Sequence, residues 1–463
     1  MKIIFAHIIT VGASVAIALS NTEINATKSL KQQALAAVSP DVTVSAPAIA
    51  ALRSAGPVGL DALFKVHAAV LNKPAAIAPL PSSVAERLRI KAALDAVGQQ
   101  HDCYASHLYW FTNLDDAKAA AKSSGKPILS LRMLGKLDEE FSCANSRFFR
   151  TTLYANSEIS DYLRGHFILH WKSVRPVPRI TVDFGDGRKL ERTITGNSIH
   201  YILDAEGRVV DALPGLYGPQ AFLAGLKKAE PEALASVSVS GPDRSARLRN
   251  YHHGEEQRIA TAFSADLAAV KTQKISSAKA SETEKPILIS APSAQAAARL
   301  ALSKGGVEKP ILRAAFPARG DAVVPGTEAD IDDATWSLIA ALHSSDAMLD
   351  LRARELIRAK NPTAWDASRV AATKAIPENP LLRMLRNLER SIAEDTVRNE
   401  YLFHRTIHQW LADADAATEV DKLNTKVYAQ LFLTPDYDPW LGLVQNDTFS
   451  ALDNGGLITK TGN

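Results

Sequence analysis

The chain has 463 residues, too many for one domain of ordinary size, so two or three are expected. Its 53 basic and 50 acidic side chains leave a net charge of +3 with no Lys/Arg block, which argues against nucleic-acid or membrane-surface binding through bulk charge. Hydrophobic residues make up 46% and charged residues 22%, as in soluble globular proteins, and two cysteines are too few for a disulfide-built scaffold.

Lys2 is followed by an apolar run from Ile3 to Leu19, interrupted by His7, Thr10 and Ser14, and then by small residues. A short basic start, an apolar stretch and small residues predict a secretory leader over 1–26, with cleavage after Ser20 or, preferably, Ala26. If retained, the run would serve as a membrane anchor, since it nearly reaches the roughly 20 residues a spanning helix needs. No later segment is apolar enough to span. Export to the periplasm or the medium would place Cys103 and Cys143 in an oxidising compartment, where a disulfide between them is permitted.

Residues 27–105 read as a small helical region. "APAIAALRSAGPVGLDALFKVHAAVLN" has helical apolar spacing broken at Gly56-Pro57. "SSVAERLRIKAALDAVGQQ" begins with serines suited to capping and places Glu86 in the expected first turn. "AALRSAGPVGLDALF" resembles one unit of a helical repeat, but no second copy follows, so a solenoid is not supported.

From residue 106 helices and strands alternate. "NLDDAKAAAKSSG" predicts a helix ending at Gly125, and "KPILSLRML" a buried strand. "SRFFRTTLYANSEISDYLRGH" is helical with a break near Asn156, and "FILHWKSV" is a second strand. "RITVDFGDGRKLERTIT" predicts a hairpin turning at Gly185-Asp186-Gly187. "SIHYILDAEGRVVDALPG" predicts another, turning at Ala205-Glu206-Gly207, and Pro219 then opens a helix. Beyond residue 231 strands vanish. A helix through "PDRSARLRNYHHGEEQRIATAFSADLAAVK", linkers over 272–290 and 305–330 with a short helix between them, and four or five helices from Asp332 to Leu433 are expected. The apolar "PWLGL" of the tail is expected to dock.

The order strand, helix, strand, antiparallel hairpin and closing helix resembles the thioredoxin fold. "LYWFTNLDDAKAAAKSSGKPILSL" resembles the opening of exported bacterial thioredoxin-like domains, and "SIHYILDAEGRVVDALPG" their late hairpin. The resemblance covers about residues 106–229. It implies that the stretch "LGKLDEEFSCANSRFF" holds the position of the family's Cys-x-x-Cys motif. Cys143 then stands at the attacking cysteine and Ser146 at its partner, giving a monothiol Cys-x-x-Ser form.

At a helix N-terminus a thiol faces free backbone N–H groups and the positive end of the dipole, and Arg147 adds positive charge. Asp138, Glu139 and Glu140 would act the other way if close. Serine cannot close an intramolecular disulfide, so a mixed disulfide at Cys143 needs a second thiol, from Cys103 or from a protein partner. Cys143 is open to three readings: a reactive thiol, a disulfide with Cys103, or an inert buried side chain. The family's cis-proline falls on Ser198, after Asn197, where a trans bond is expected because cis costs roughly 3 kcal/mol without proline.

Glu400, His404 and His408 recur every four residues, which aligns three potential metal ligands on one helical face, or simply a polar stripe. His252-His253 with Glu255 and Glu256 reads as a solvated helix segment. Asp183-Phe184-Gly185 is a hairpin turn without companion kinase motifs. No G-x-S-x-G, H-E-x-x-H or phosphate-loop motif is present.

The expected architecture is a leader (1–26), a helical region (27–105), an α/β thioredoxin-like domain with a mixed sheet flanked by helices (106–229), a helix and linker (230–330) and a helical C-terminal region (331–463). No cofactor or metal is assigned. The favoured function is a non-catalytic binding scaffold. The alternative is a thiol-disulfide redox protein using Cys143, with Ser146, Arg147 and Cys103 around it.

Overall fold

The computed structural model describes residues 27–72, 81–193, 196–239, 241–277, 331–361, 380–413, 419–432 and 434–437. The expected leader, residues 278–330 with most of the expected linkers and the short helix between them, and the "PWLGL" tail lie outside the described residues. Residues 272–277, expected as linker, instead continue a helix.

Four helices open the described chain: α1 (27–36), α2 (Val42–Ser54), α3 (Pro57–Leu71) and α4 (Pro81–Gly98). Asp41 caps α2 by accepting from the Thr43 amide at 2.9 Å. Gly56 turns the chain at φ 72° before Pro57 starts α3. The two helices then cross closely, because Gly59 carries no Cβ to meet the Leu52 carbonyl. Helix α4 already includes Pro81, so Glu86 lies past its first turn. Leu52, Leu60, Leu63, Ile90, Leu94 and Val97 form an apolar cluster that also takes in Cys103, from the short helix α5 (Cys103–Ser106).

The mixed α/β part follows. A five-stranded sheet has the order β1-β3-β2-β6-β7, formed by Trp110–Phe111, Ile168–Arg175, Ile128–Leu134, Ser198–Leu203 and Val209–Pro214. The first three strands are parallel, and β6 and β7 are antiparallel to their neighbours. Every residue of β2 is buried, as a near-continuous apolar run requires of a central strand.

Helix α6 (Leu114–Ser124) joins β1 to β2. Asn113 caps it by accepting from the amides of Asp115 and Asp116, and Gly125 ends it at φ 68°. Helices α7 (Ala144–Phe148), prolonged by a π turn over Phe149–Leu153, and α8 (Ser157–His166) join β2 to β3. The predicted break is Asn156, which caps α8 through the Ile159 amide. Strands β4 (Arg179–Asp183) and β5 (Lys189–Thr193) form a separate hairpin turned by Gly185 and Gly187 at positive φ.

Helices α9 (Pro219–Ala235) and α10 (Gly241–Ser277) lead to the C-terminal layer. There lie α11 (Asp333–Leu342), α12 (Leu351–Lys360), α13 (Pro380–Arg398), a π turn (Asn399–His404), α14 (Arg405–Ala412) and α15 (Val420–Gln430). One apolar cluster runs from Leu131, Ile199 and Val210 of the sheet through Phe222 and Phe263 to Trp336, Ile392, Ile407 and Val427. The helical C-terminal elements therefore share a core with the sheet. Burying each such side chain is worth about 1.5–3 kcal/mol.

Alternation sends successive β6 residues to opposite layers. His200 packs against Phe149 and Phe222, while Tyr201 reaches Asn424 of α15 at 3.3 Å. No helix among the described residues is long and apolar enough to cross a membrane.

Candidate functional site

Two places on this frame concentrate chemistry. At the first, β2 ends at Leu134 and the chain returns so that the Cys143 amide donates to the Leu134 carbonyl at 3.2 Å. Cys143 caps α7. Its thiol is fully buried, and that burial pushes its pKa up. The amide and hydroxyl of Ser146 and the charge of Arg147 oppose the rise without cancelling it. The Ser146 hydroxyl also donates to the Cys143 carbonyl at 2.8 Å.

The expected acidic influence on the thiol is not what raises it. Glu139 pairs with Lys136 at 3.1 Å and Glu140 with His101 at 2.6 Å. Burial does the work instead.

The thiol is sealed from the C-terminal side. Its Sγ lies 4.0 Å from the Asn197 carbonyl oxygen, which accepts from the buried Tyr428 hydroxyl at 3.0 Å. Asn197 Nδ2 donates to Thr434 Oγ1 at 3.1 Å, and Arg175 donates to the carbonyls of Thr434 and Pro435. The peptide before Ser198 is trans, as expected, and no cis bond occurs among the described residues.

Cys103 belongs to the other cluster. Its amide donates to Asp95 at 2.8 Å, its Sγ faces the Leu108 carbonyl at 3.5 Å, and burial raises its pKa well above the usual thiol value. Both cysteines are free thiols, and they sit in separate apolar clusters. Cys143, Ser146 and Arg147 share one helical turn; Cys103 does not join them.

At the second place the sequence stripe Glu400, His404 and His408 meets residues from two other elements. Asp211, on edge strand β7, is 3% exposed, and its Oδ1 lies 3.1 Å from His404 Nε2 and 3.7 Å from His408 Nε2. His404 Nδ1 is held by Glu400 Oε2 at 2.7 Å. Glu400 also accepts from Arg258 at 2.8 Å and Tyr217 at 3.2 Å. The Tyr251 hydroxyl donates to Asp211 Oδ2, and the Ala212 amide to Asp211 Oδ1 at 2.7 Å.

His252, read from sequence as solvated, is 1% exposed and places its Nδ1 2.9 Å from His408 Nδ1. The solvated reading fits His253 alone of the pair, which is exposed. Glu255 and Glu256 are half-buried and paired, with Lys228 and Arg258 and with Arg405 respectively.

The charges in this cluster are set by competition. Burial opposes the charge on His404, but Glu400 and Asp211 on either side raise its pKa to about 10. Burial lowers His252 to about 4 and puts His408 well below the usual histidine value, so both rings are neutral. Burial also opposes ionisation of Asp211 and Glu400, yet the charged His404 between them, and Arg258 for Glu400, hold both below the carboxylate range.

Asp211, His404 and His408 each bring one metal-capable atom within 4.8 Å of the others. A cavity of about 220 Å³ borders the cluster, lined by Asp211, Tyr217, Arg258, His343, Glu400 and His404 among others.

Sequence reasoning missed Asp211, Tyr251 and His252. Nothing local marks Asp211. His252 carried a signal, since it falls on the buried stripe Leu248, Ile259, Phe263, Leu267 and Val270 at helical spacing. A third group, His101, Asp102 and Glu140, is an ion-pair network that also takes in Asp95 and Lys360.

No family model, curated protein or solved structure matches this chain.

Proposed function

We propose that the chain is an exported thioredoxin-like protein in which the fold acts as a binding scaffold and not as a dithiol exchanger. The observation that carries this reading is the closure over Cys143: the Asn197 carbonyl beside its sulfur is already occupied by Tyr428 of α15. Support for the relationship comes from the strand order, with three parallel strands followed by an antiparallel pair, and from a cysteine capping the helix after the central strand. In a working exchanger that carbonyl's neighbourhood receives the substrate chain; here the protein's own C-terminal helix takes the place. Serine at 146 removes the resolving thiol, and burial disfavours the thiolate that would attack. The basic start at Lys2 and the apolar run from Ile3 to Leu19 support export.

Alkylation tests the reading. In the native protein neither thiol should react at a pH below the ordinary thiol value of about 8.5, and both should react in denaturant without reductant. A native Cys143 whose alkylation titrates below that pH would establish the monothiol redox alternative.

A further inference from the structure

We propose that Asp211, His404 and His408 form a three-ligand site for a divalent transition-metal ion, zinc in the first instance, with its fourth position supplied from the adjoining cavity. This goes beyond the scaffold reading and stands whether or not the sheet is related to thioredoxin.

The geometry suits such an ion. A tetrahedral zinc with bonds of roughly 2.0–2.1 Å separates its ligand atoms by about 3.3 Å. Two edges bracket that value: 3.1 Å from Asp211 Oδ1 to His404 Nε2 and 3.7 Å from Asp211 Oδ1 to His408 Nε2. Three protein ligands of the imidazole and carboxylate type, with one position left over, are the zinc arrangement that admits water or a small ligand. The cavity touches Asp211 and His404 and provides that access.

A second observation is the unpartnered nitrogen. His408 is fully buried, and its Nε2 has no hydrogen-bond partner. Only one proton fits between the Nδ1 atoms of His408 and His252 at 2.9 Å. If His408 carries it, Nε2 is a bare lone pair facing the Asp211 carboxylate 3.7 Å away, two acceptors with nothing between them. If His252 carries it, Nε2–H points at an oxygen beyond hydrogen-bond reach. A metal cation at the centre satisfies the first arrangement and gives the buried nitrogen a partner.

The surrounding contacts are those that orient metal ligands. Glu400 accepts from His404 Nδ1 at 2.7 Å, so that a metal ion displacing the Nε2 proton shared with Asp211 would find that nitrogen oriented to ligate, and His252 holds Nδ1 of His408. Tyr251 and the Ala212 amide fix the Asp211 carboxylate. The π turn over Asn399–His404 carries Glu400 and His404 and runs directly into α14, which carries His408; such turns are found often at functional sites.

The test uses untagged full-length protein, stripped with chelator and titrated with zinc chloride by calorimetry and by competition with a chromogenic indicator. One equivalent should bind. Glu400→Gln should weaken binding roughly 10–100-fold by loosening His404, and Asp211→Asn should weaken it at least as much. His253→Gln, exposed on the same helix as His252, should leave affinity unchanged. Absence of binding to folded wild type, or unchanged affinity in folded Glu400→Gln and Asp211→Asn, overturns the proposal. Should the variants fail to fold, X-ray absorption at the zinc edge of wild type decides. Two imidazoles and a carboxylate oxygen at tetrahedral distances support the site, and an octahedral aqua ion or a different donor set overturns it.

Discussion

The Tyr428 hydroxyl donates at 3.0 Å to the Asn197 carbonyl, the same oxygen that Cys143 Sγ faces at 4.0 Å. One peptide oxygen thus ties the last described helix to the segment holding the thiol, across 231 residues of chain. Tyr428→Phe removes only the hydroxyl and leaves the carbonyl without its donor, so a loss of about 1–3 kcal/mol is expected in denaturant unfolding. The Cys143 alkylation rate should rise in the same variant. An unchanged rate and midpoint would show that the contact neither seals nor stabilises.

Arg132 lies in the middle of β2, 1% exposed, and reaches Asp421 of α15 at 3.1 Å, which also receives Lys172 at 2.9 Å. Asp421→Ala leaves the guanidinium buried without its carboxylate and should cost about 1–3 kcal/mol, moderated by the exposure of Asp421 itself. Arg132→Met removes the charge with the pair and should be closer to neutral. Urea midpoints of the two variants check the order. A worse Arg132→Met than Asp421→Ala would contradict it.

His101 sits between Asp95 at 3.0 Å and Glu140 at 2.6 Å, with Asp102, Arg150 and Lys360 nearby. Its hydrogen bonds to Asp95 and Glu140 raise its pKa from 6.5 to about 9. A raised pKa means that the protonated ring is favoured by folding. The stabilisation is complete below about 6.5 and is lost as pH rises through 9. Its hydrogen bond to His101 lowers Glu140 from 4.5 to about 2, so the acid-side contribution is present above 4.5 and disappears as pH falls through 2. His101→Gln should flatten the alkaline slope, measured as unfolding free energy below and above that window. A slope identical to wild type would assign it to other groups.

A Cβ built on Gly59 would lie 2.0 Å from the Leu52 carbonyl oxygen, backbone that cannot swing away. Gly59→Ala should therefore push α2 and α3 apart and cost about 1–3 kcal/mol, despite the better helix propensity of alanine. A thermal melt shows the sign. Stabilisation by this substitution would mean that the helices do not cross so closely.

Local patterns in the sequence were sufficient for most elements. The apolar run of β2, the glycine turns of both hairpins, Asn113, Asn156 and Gly125 at helix ends and Pro219 at the start of α9 each act within a few residues, so their consequences are readable without a fold. The position of Cys143 between a central strand and a helix followed from counting along those elements. Its closure did not, because Tyr428 and Thr434 approach it only after the C-terminal helices have folded back onto the sheet.

The second site divides in the same way. The i, i+4 spacing displays Glu400, His404 and His408 as a stripe, a property of helical geometry alone. Whether that stripe meets solvent, another polar face or a carboxylate is a matter of packing. Tertiary structure put Asp211 of β7 and His252 of α10 against it, partners 193 and 156 residues away. Spacing along a helix is fixed by helical geometry, whereas the burial that keeps His252 and His408 neutral and the carboxylate of Asp211 that helps to charge His404 act only when separate segments exclude water together.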